Sequence, residues 1–221
     1  MPRSSISKKT ATPRVKRQTW QSTKSMSTRV RLIQAAVASL AELGYAGTSI
    51  ATIAARARVS RGAMQFHFPT KVDAMRAVIR FIFERRVEMY REDFSKANNK
   101  SDLVATALRA YWKQVTTPEF VAHQALSMAA RSDPEIRDAL AETHRLLNAQ
   151  TRTPIIEHFP EWKNSERYNL AADFAQYTLD GMAWAYIDGY VGDAEVQQRL
   201  KLLGQVFASI VNGSRAAQVT V

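Results

Sequence analysis

The residues of this chain that could do chemistry are mostly cations and hydrogen-bond donors. Cysteine is absent, which removes thiol catalysis, disulfides and thiolate metal ligands. The four histidines (His67, His123, His144 and His158) form no H-E-x-x-H pair, and there is no G-x-S-x-G or Gly-rich phosphate loop. No metal site and no cofactor is expected, and enzymatic activity is not expected either. What the sequence does hold is a close series of donors and small residues: Thr48, Ser49, Arg58, Ser60, Arg61, Ala63, Gln65, Phe66, His67 and Lys71. Serine and threonine at helix starts leave backbone N–H groups and a positive dipole end open to a phosphate. Lys71 and His67 fall where two such helix ends converge, and both can donate to phosphate oxygens. The chemistry on offer is recognition of a polyanion.

Charge supports that reading. Residues 1–71 carry thirteen Lys and Arg against Glu42 alone, whereas residues 72–221 carry eighteen bases and nineteen acids. A polycationic end on a near-neutral body implies an anionic partner at one end and a separate task for the rest. The chain is 46% hydrophobic, enough for a sizeable core. It has no apolar run of the ~18 residues that a membrane span needs, so no membrane partner is expected. The cysteine-free composition fits a reducing compartment, and a cytoplasmic protein, nucleoid-associated when bound, is the expectation.

The elements that must position these donors are helical. Residues 1–26 hold seven Lys and Arg, no acid and few large apolar residues, which predicts a disordered basic arm. Ser27 or Thr28 can cap a first helix in which Val30, Ile33, Ala36, Val37, Leu40 and Leu43 recur at three- and four-residue steps, and Gly44 ends it. Thr48 or Ser49 caps a short helix through Ala57. After a turn at Arg58-Val59, Ser60 caps another to about Phe68. Two short helices joined by a tight turn form a helix-turn-helix at about residues 49–68. Thr70 then caps a long helix. Further helices are expected at 102–116, 118–130, 134–148 (or to 158), 166–190 and 195–212. The fold class is all-α. Residues 27–71 form the helix-turn-helix domain and residues 72–221 a larger helical bundle.

These residues, read as Arg29-x-x-x-Ile33-x-x-Ala36, Gly44-Tyr45-x-x-Thr48-Ser49-Ile50-x-x-Ile53-Ala54, Val59-Ser60-Arg61-Gly62 and Phe66-His67-Phe68-Pro69-Thr70-Lys71, resemble the DNA-binding domain of TetR-family transcriptional regulators. The resemblance covers about 50 of the 221 residues. It implies that the third helix enters the major groove of double-stranded DNA while Thr48, His67 and Lys71 hold the backbone. On that helix Arg61 can bond guanine O6 and N7 together, Gln65 can pair with adenine, and Ala63 offers a methyl to thymine. Met64 and Phe68 face the core, and Phe66 is compatible with either side. The sequence departs from the family at two places. Arg58 stands where a glycine usually makes the turn, at a cost of roughly 1 kcal/mol for left-handed geometry. Gln65 stands where a tyrosine commonly precedes the F-H-F segment.

The body offers two surfaces. The helix at 166–190 is apolar on nearly every face, which predicts burial all round. Val196, Leu200, Leu203, Phe207 and Ile210 give the final helix a stripe that Leu202 and Val206 widen. Phe174, Met182, Trp184, Leu200, Leu203, Phe207 and Ile210 are the expected homodimer interface, with an ordinary monomer core as the alternative. In the resembled family such helices form a four-helix bundle across a twofold axis. The family also carries an effector pocket among its middle helices, and Trp112, Phe120, His123, Gln124, Met128, His144 and Asn148 mix aromatic and polar groups there as pockets do. The combined expectation is a homodimeric transcriptional regulator, a repressor released from a palindromic operator by a small molecule. The alternative is an architectural DNA-binding protein that senses nothing.

Overall fold

The computed structural model describes residues 14–94 and 100–213, and of residues 14–25, 94, 100–102, 147–149, 151, 154 and 158 the backbone alone. Among these residues there is no strand. Nine helices follow one another: α1 (Arg14–Gly47), α2 (Ile50–Ala57), α3 (Arg61–His67), α4 (Lys71–Phe94), α5 (Lys100–Val115), α6 (Pro118–Ala129), α7 (Pro134–His158), α8 (Glu166–Ile187) and α9 (Asp193–Asn212). None of the described helices is long and apolar enough to cross a membrane.

Local chemistry sets most boundaries. Gly44 adopts φ +66° and breaks the α-helical path of α1, as its position suggests. Thr117 and Asp133 cap α6 and α7, each followed by a proline at the first helical position, where a missing N–H costs nothing. Ser165 caps α8 through the Tyr168 N–H.

The start of α1 corrects the sequence expectation. Helix extends back to Arg14, so Ser27 and Thr28 lie inside it rather than capping it, and the part of the expected arm from Arg14 to Met26 is helical. From Arg14 to Leu43 there is neither glycine nor proline, so a helix anchored by Leu32, Ile33, Ala36 and Leu40 meets no breaker until Pro13. The arm residues 1–13 lie outside the described residues. Val30 and Leu43, expected to point inward, are exposed at the edges of the buried stripe.

Two cores result. The first joins α1–α4 to α6 and α7: Leu32, Leu40, Ile53, Met64, Met75 and Val78 pack with Leu126, Ile136 and Leu140. Packing therefore runs without a gap across residue 71. The second core unites α5, α8 and α9 around Tyr90, Tyr111, Val115, Tyr168, Leu179, Leu203 and Phe207.

Candidate nucleic-acid interface

The reading helix is fixed from behind. Met64 is fully buried and Phe68, at the end of α3, nearly so. Four residues apart, these two share one helix face, while Arg61, Gly62, Gln65 and Phe66 are all exposed. Phe66 is 80% exposed, a large apolar ring held in solvent beside His67 at 5.3 Å between centroids. Ala63 is half-buried, and its N–H donates to Ser60 Oγ at 3.2 Å. Ser60 is thus the N-cap of α3.

The second helix is capped more firmly. Ser49 Oγ accepts from the Thr52 N–H at 3.1 Å, while the Ser49 N–H donates to Thr52 Oγ1 at 2.8 Å. At the other end Arg58 takes left-handed geometry, φ +54° and ψ +48°, and ends α2. The turn thus keeps the shape that glycine would give it and bears the strain. Arg31 reaches across from α1 to donate to the Ala57 carbonyl at 2.5 Å, satisfying a terminal acceptor. Arg58→Gly is expected to raise unfolding free energy by about 1 kcal/mol, read by urea denaturation, because glycine removes that strain. Loss of affinity for DNA in the same variant would identify the Arg58 side chain as a phosphate contact.

The phosphate set expected from sequence is partly redistributed. Thr48 is corrected: it is 1% exposed, and its hydroxyl donates inward to the Gly44 carbonyl at 2.8 Å. With Ser49 taking the cap, Thr48 closes the Gly44 turn instead of facing outward. Lys71 is half-buried; its Nζ donates to the Tyr45 carbonyl at 2.6 Å and rests 3.9 Å from the Tyr45 ring centroid. Burial lowers its pKa, with Asp133 opposing. Two of its three N–H donors remain for an anion. His67 is half-buried as well; burial and the Arg29 charge lower its pKa and favour the neutral imidazole. At the start of α4, Asp73 Oδ2 accepts from the Thr70 hydroxyl at 2.7 Å and from the Thr70 N–H at 3.1 Å. Thr70 Oγ1 in turn accepts from the Asp73 N–H at 3.1 Å, so Thr70 caps α4 and a carboxylate stands at the helix end that sequence reasoning offered to phosphate.

A polar link joins this unit to the body. Tyr45 Oη donates to Asp133 Oδ2 at 2.8 Å, and Asp133 Oδ1 in turn accepts from the Glu135 N–H at the start of α7. Burial, then this hydrogen bond, pushes the Tyr45 phenol up to about 12, and the same bond lowers Asp133. Arg76 pairs with Glu135 at 2.9 Å nearby. Tyr45 stood in the recognised motif, but its partner lies 88 residues away, beyond any local signal.

In the body, the expected ligand residues do not converge. Phe120 and His123 line a cavity of about 130 Å³ with Ile82, Met89 and Arg86. His144 reaches His123, Nε2 to Nε2 at 3.1 Å. Trp112 packs edge-on against Tyr186, Gln124 lines none of the body's cavities described here, and Met128 is 63% exposed. The Asn148 side chain lies outside the described residues. A second cavity, about 110 Å³, is walled by Arg86, Tyr90, Tyr111, Arg152, Tyr168 and Phe207 and contains none of the seven. Its signal in the sequence was a cation, Arg86, in the apolar register of Ile79, Ile82, Phe83 and Tyr90.

The expected dimer residues also divide. Met182, Leu200, Leu203 and Phe207 are buried in the chain's own second core, and Ile210 is half-buried. Phe174 and Trp184 are exposed. They belong to a stripe with Leu170, Tyr177 and Ile187 at helical spacing on the outer face of α8, and Leu202 on α9 is exposed as well. Apolar on nearly every face, α8 gives its inward half to the chain and leaves the outward half bare.

Comparison with known proteins agrees with this geometry. Residues 32–78 match the family described as bacterial regulatory proteins, tetR family. The HTH-type transcriptional regulator CymR of Pseudomonas putida is 34% identical over 123 residues, 56% of this chain and 61% of that protein. The aligned stretch is thus under two thirds of CymR's own length. Among solved structures, a TetR family transcription regulator from Marinobacter aquaeolei VT8 superposes with a TM-score of 0.63 at 16% identity, covering 86% of this chain and 97% of that one. The multidrug binding protein EbrR, complexed with imidazole, gives 0.57 at 22%, covering 82% and 93%. Over residues 32–78, which run from α1 into α4, the chain is thus similar to the TetR family of bacterial regulatory proteins, and its fold is that of the solved TetR-family structures.

Proposed function

We propose that this chain is a homodimeric, sequence-specific DNA-binding repressor that a small molecule releases from a palindromic operator. The observation that carries the DNA half is the exposed row of α3, Arg61, Gln65 and Phe66, held rigid from behind by Met64 and Phe68. A short helix presenting a guanidinium, a carboxamide and an apolar ring can bond guanine and adenine edges and meet a thymine methyl. Ser49, Arg58 and Ser60 flank that row at the surface and serve the backbone, with Lys71 contributing its remaining donors. Dimerisation is supported by the bare apolar stripe of α8, since exposed patches of this kind mark interaction surfaces. Two copies would then present two α3 helices to half-sites roughly 34–36 Å apart.

Release is supported by the route between the units. The Tyr45–Asp133 bond and the Arg76–Glu135 pair fasten the DNA-binding unit to the start of α7, and α4 runs from Lys71 into the cavity wall at Arg86 and Tyr90. A ligand that moves α4 or α7 would shift α3 with them, biasing one arrangement over another. EbrR, of the same fold, is a multidrug binding protein. The family is non-enzymatic.

The test is Arg61→Ala against a library of duplexes. Affinity for the preferred sequence is expected to fall by ~1–3 kcal/mol, with loss of preference at one base pair. Uniform weakening on every sequence would reduce Arg61 to a phosphate contact.

A further inference from the structure

Two of the body's cavities, those of about 110 and 130 Å³, share one wall residue, Arg86. Its guanidinium is pinned: Nε donates to Gln114 Oε1 at 3.1 Å, and Cζ lies 5.3 Å from the Tyr111 ring centroid. Gln114 is itself 4% exposed, so the support does not swing away. Among the described residues no carboxylate pairs with Arg86. Across the same cavity Arg152 is already engaged, with Asp173 at 2.7 Å and Asn169 at 2.7 Å. The carboxyl within electrostatic reach of Arg86 is Asp180, which accepts from the Tyr111 hydroxyl at 2.9 Å. Burial raises the pKa of Asp180, and the Tyr111 hydrogen bond and the Arg86 charge oppose that rise. A cation held among tyrosine rings without a full partner is costly, and an anion in the adjoining space relieves that cost.

We propose that the 110 Å³ cavity binds a small monocarboxylate with an apolar or aromatic body, its carboxylate taken by the Arg86 guanidinium. This rests on reading the body as an effector-binding module and names the class of effector. The wall fixes the class. Tyr90, Tyr111, Tyr168, Leu108, Leu179 and Phe207 supply ring faces and aliphatic carbon, which want an apolar body. A guanidinium fork matches the two oxygens of a carboxylate. One cation without a carboxylate partner matches a single negative charge more closely than the two of a phosphate dianion. Size limits the body to about one ring, since a dry cavity of about 150 Å³ accommodates benzene. Amines are excluded by Arg86 and Arg152 together.

The experiment titrates the full-length chain with benzoate and hexanoate, each beside its neutral primary amide, using calorimetry and thermal shift. At least one acid is expected to bind saturably, and roughly tenfold or more tightly than its amide. Arg86→Gln should erase that difference, while Ala175→Leu, which fills the cavity, should abolish binding of acid and amide alike. Absence of binding by either acid overturns the proposal. So does equal binding of acid and amide by the unaltered chain, a result that needs no variant to fold. Equal acid binding by Arg86→Gln also overturns it. If an acid binds as expected but leaves affinity for DNA unchanged, the effector reading fails and the ligand class stands.

Discussion

Phe174→Asp is expected to leave a folded chain that sediments as a monomer, whereas Leu203→Asp is expected to leave no folded chain. The two residues lie on adjacent helices and looked equivalent in the sequence. In the structure Phe174 is 47% exposed and Leu203 is 4% exposed. An aspartate at Leu203 would place an unpaired carboxylate in the core of Tyr168, Leu179 and Phe207. Burying a charge without a partner costs at least several kcal/mol, a large share of the 5–15 kcal/mol that holds a typical domain together. At Phe174 the same change touches only the surface of the single chain, where substitutions shift stability by ~0.5 kcal/mol or less. Across a twofold axis it would appear twice and remove two aromatic anchors of roughly 150–250 Å² each. Dissociation should follow, and binding to a palindrome should fall by orders of magnitude because one reading helix cannot occupy two half-sites. Sedimentation, a circular dichroism melt and a gel shift on each variant decide it. A Phe174→Asp chain that remains dimeric would move the interface away from the α8 stripe.

Stability is expected to fall by about 2 kcal/mol between pH 7 and pH 5 because of His123. Its ring faces the cavity of Ile82, Met89 and Phe120, with Arg85, Arg86 and Glu119 on the same wall and His144 Nε2 at 3.1 Å. Burial first, then the charge of Arg86, pushes its pKa down to about 3. His144 shifts the same way for the same reasons. The folded chain therefore holds a neutral pair in which one ring donates to the other. An unfolded histidine takes up its proton below about pH 6.5 while the folded one does not, so protons favour the unfolded state. The stabilisation is complete above that value and declines as pH drops toward 3. Carboxylates whose pKa the fold lowers, such as Asp133 and Glu195, act only below their own ordinary values, while Asp180, whose pKa burial raises, acts above its own and with the opposite sign to His123. Urea denaturation at pH 7, 6 and 5 should show the slope, and His123→Leu should flatten it. A slope unchanged in that variant would place the titrating group elsewhere.

The amino-acid sequence by itself determined the all-helical class, the helix-turn-helix at its position and the side of α3 that faces out. Those features depend on neighbours a few residues apart. Ser49, Ser60, Gly44, Pro118 and Pro134 act through local backbone groups, and Met64 and Phe68 define a buried face one turn apart. Tertiary structure decided the rest. Ser49 and Thr48 are equally good caps on paper, and only packing around the Gly44 turn buried Thr48. Helix α8 carries apolar residues on nearly every face, so periodicity did not separate the half that fills the core from the half left bare. The first turns of α1 depended on an anchor many residues downstream, which composition does not weigh. The Tyr45–Asp133 bond and the meeting of Arg86 with Tyr111 and Gln114 join residues 25 to 88 apart in the chain. A side chain's neighbours within one helical turn are written in the sequence around it; its neighbours across a core follow from how several helices settle against one another.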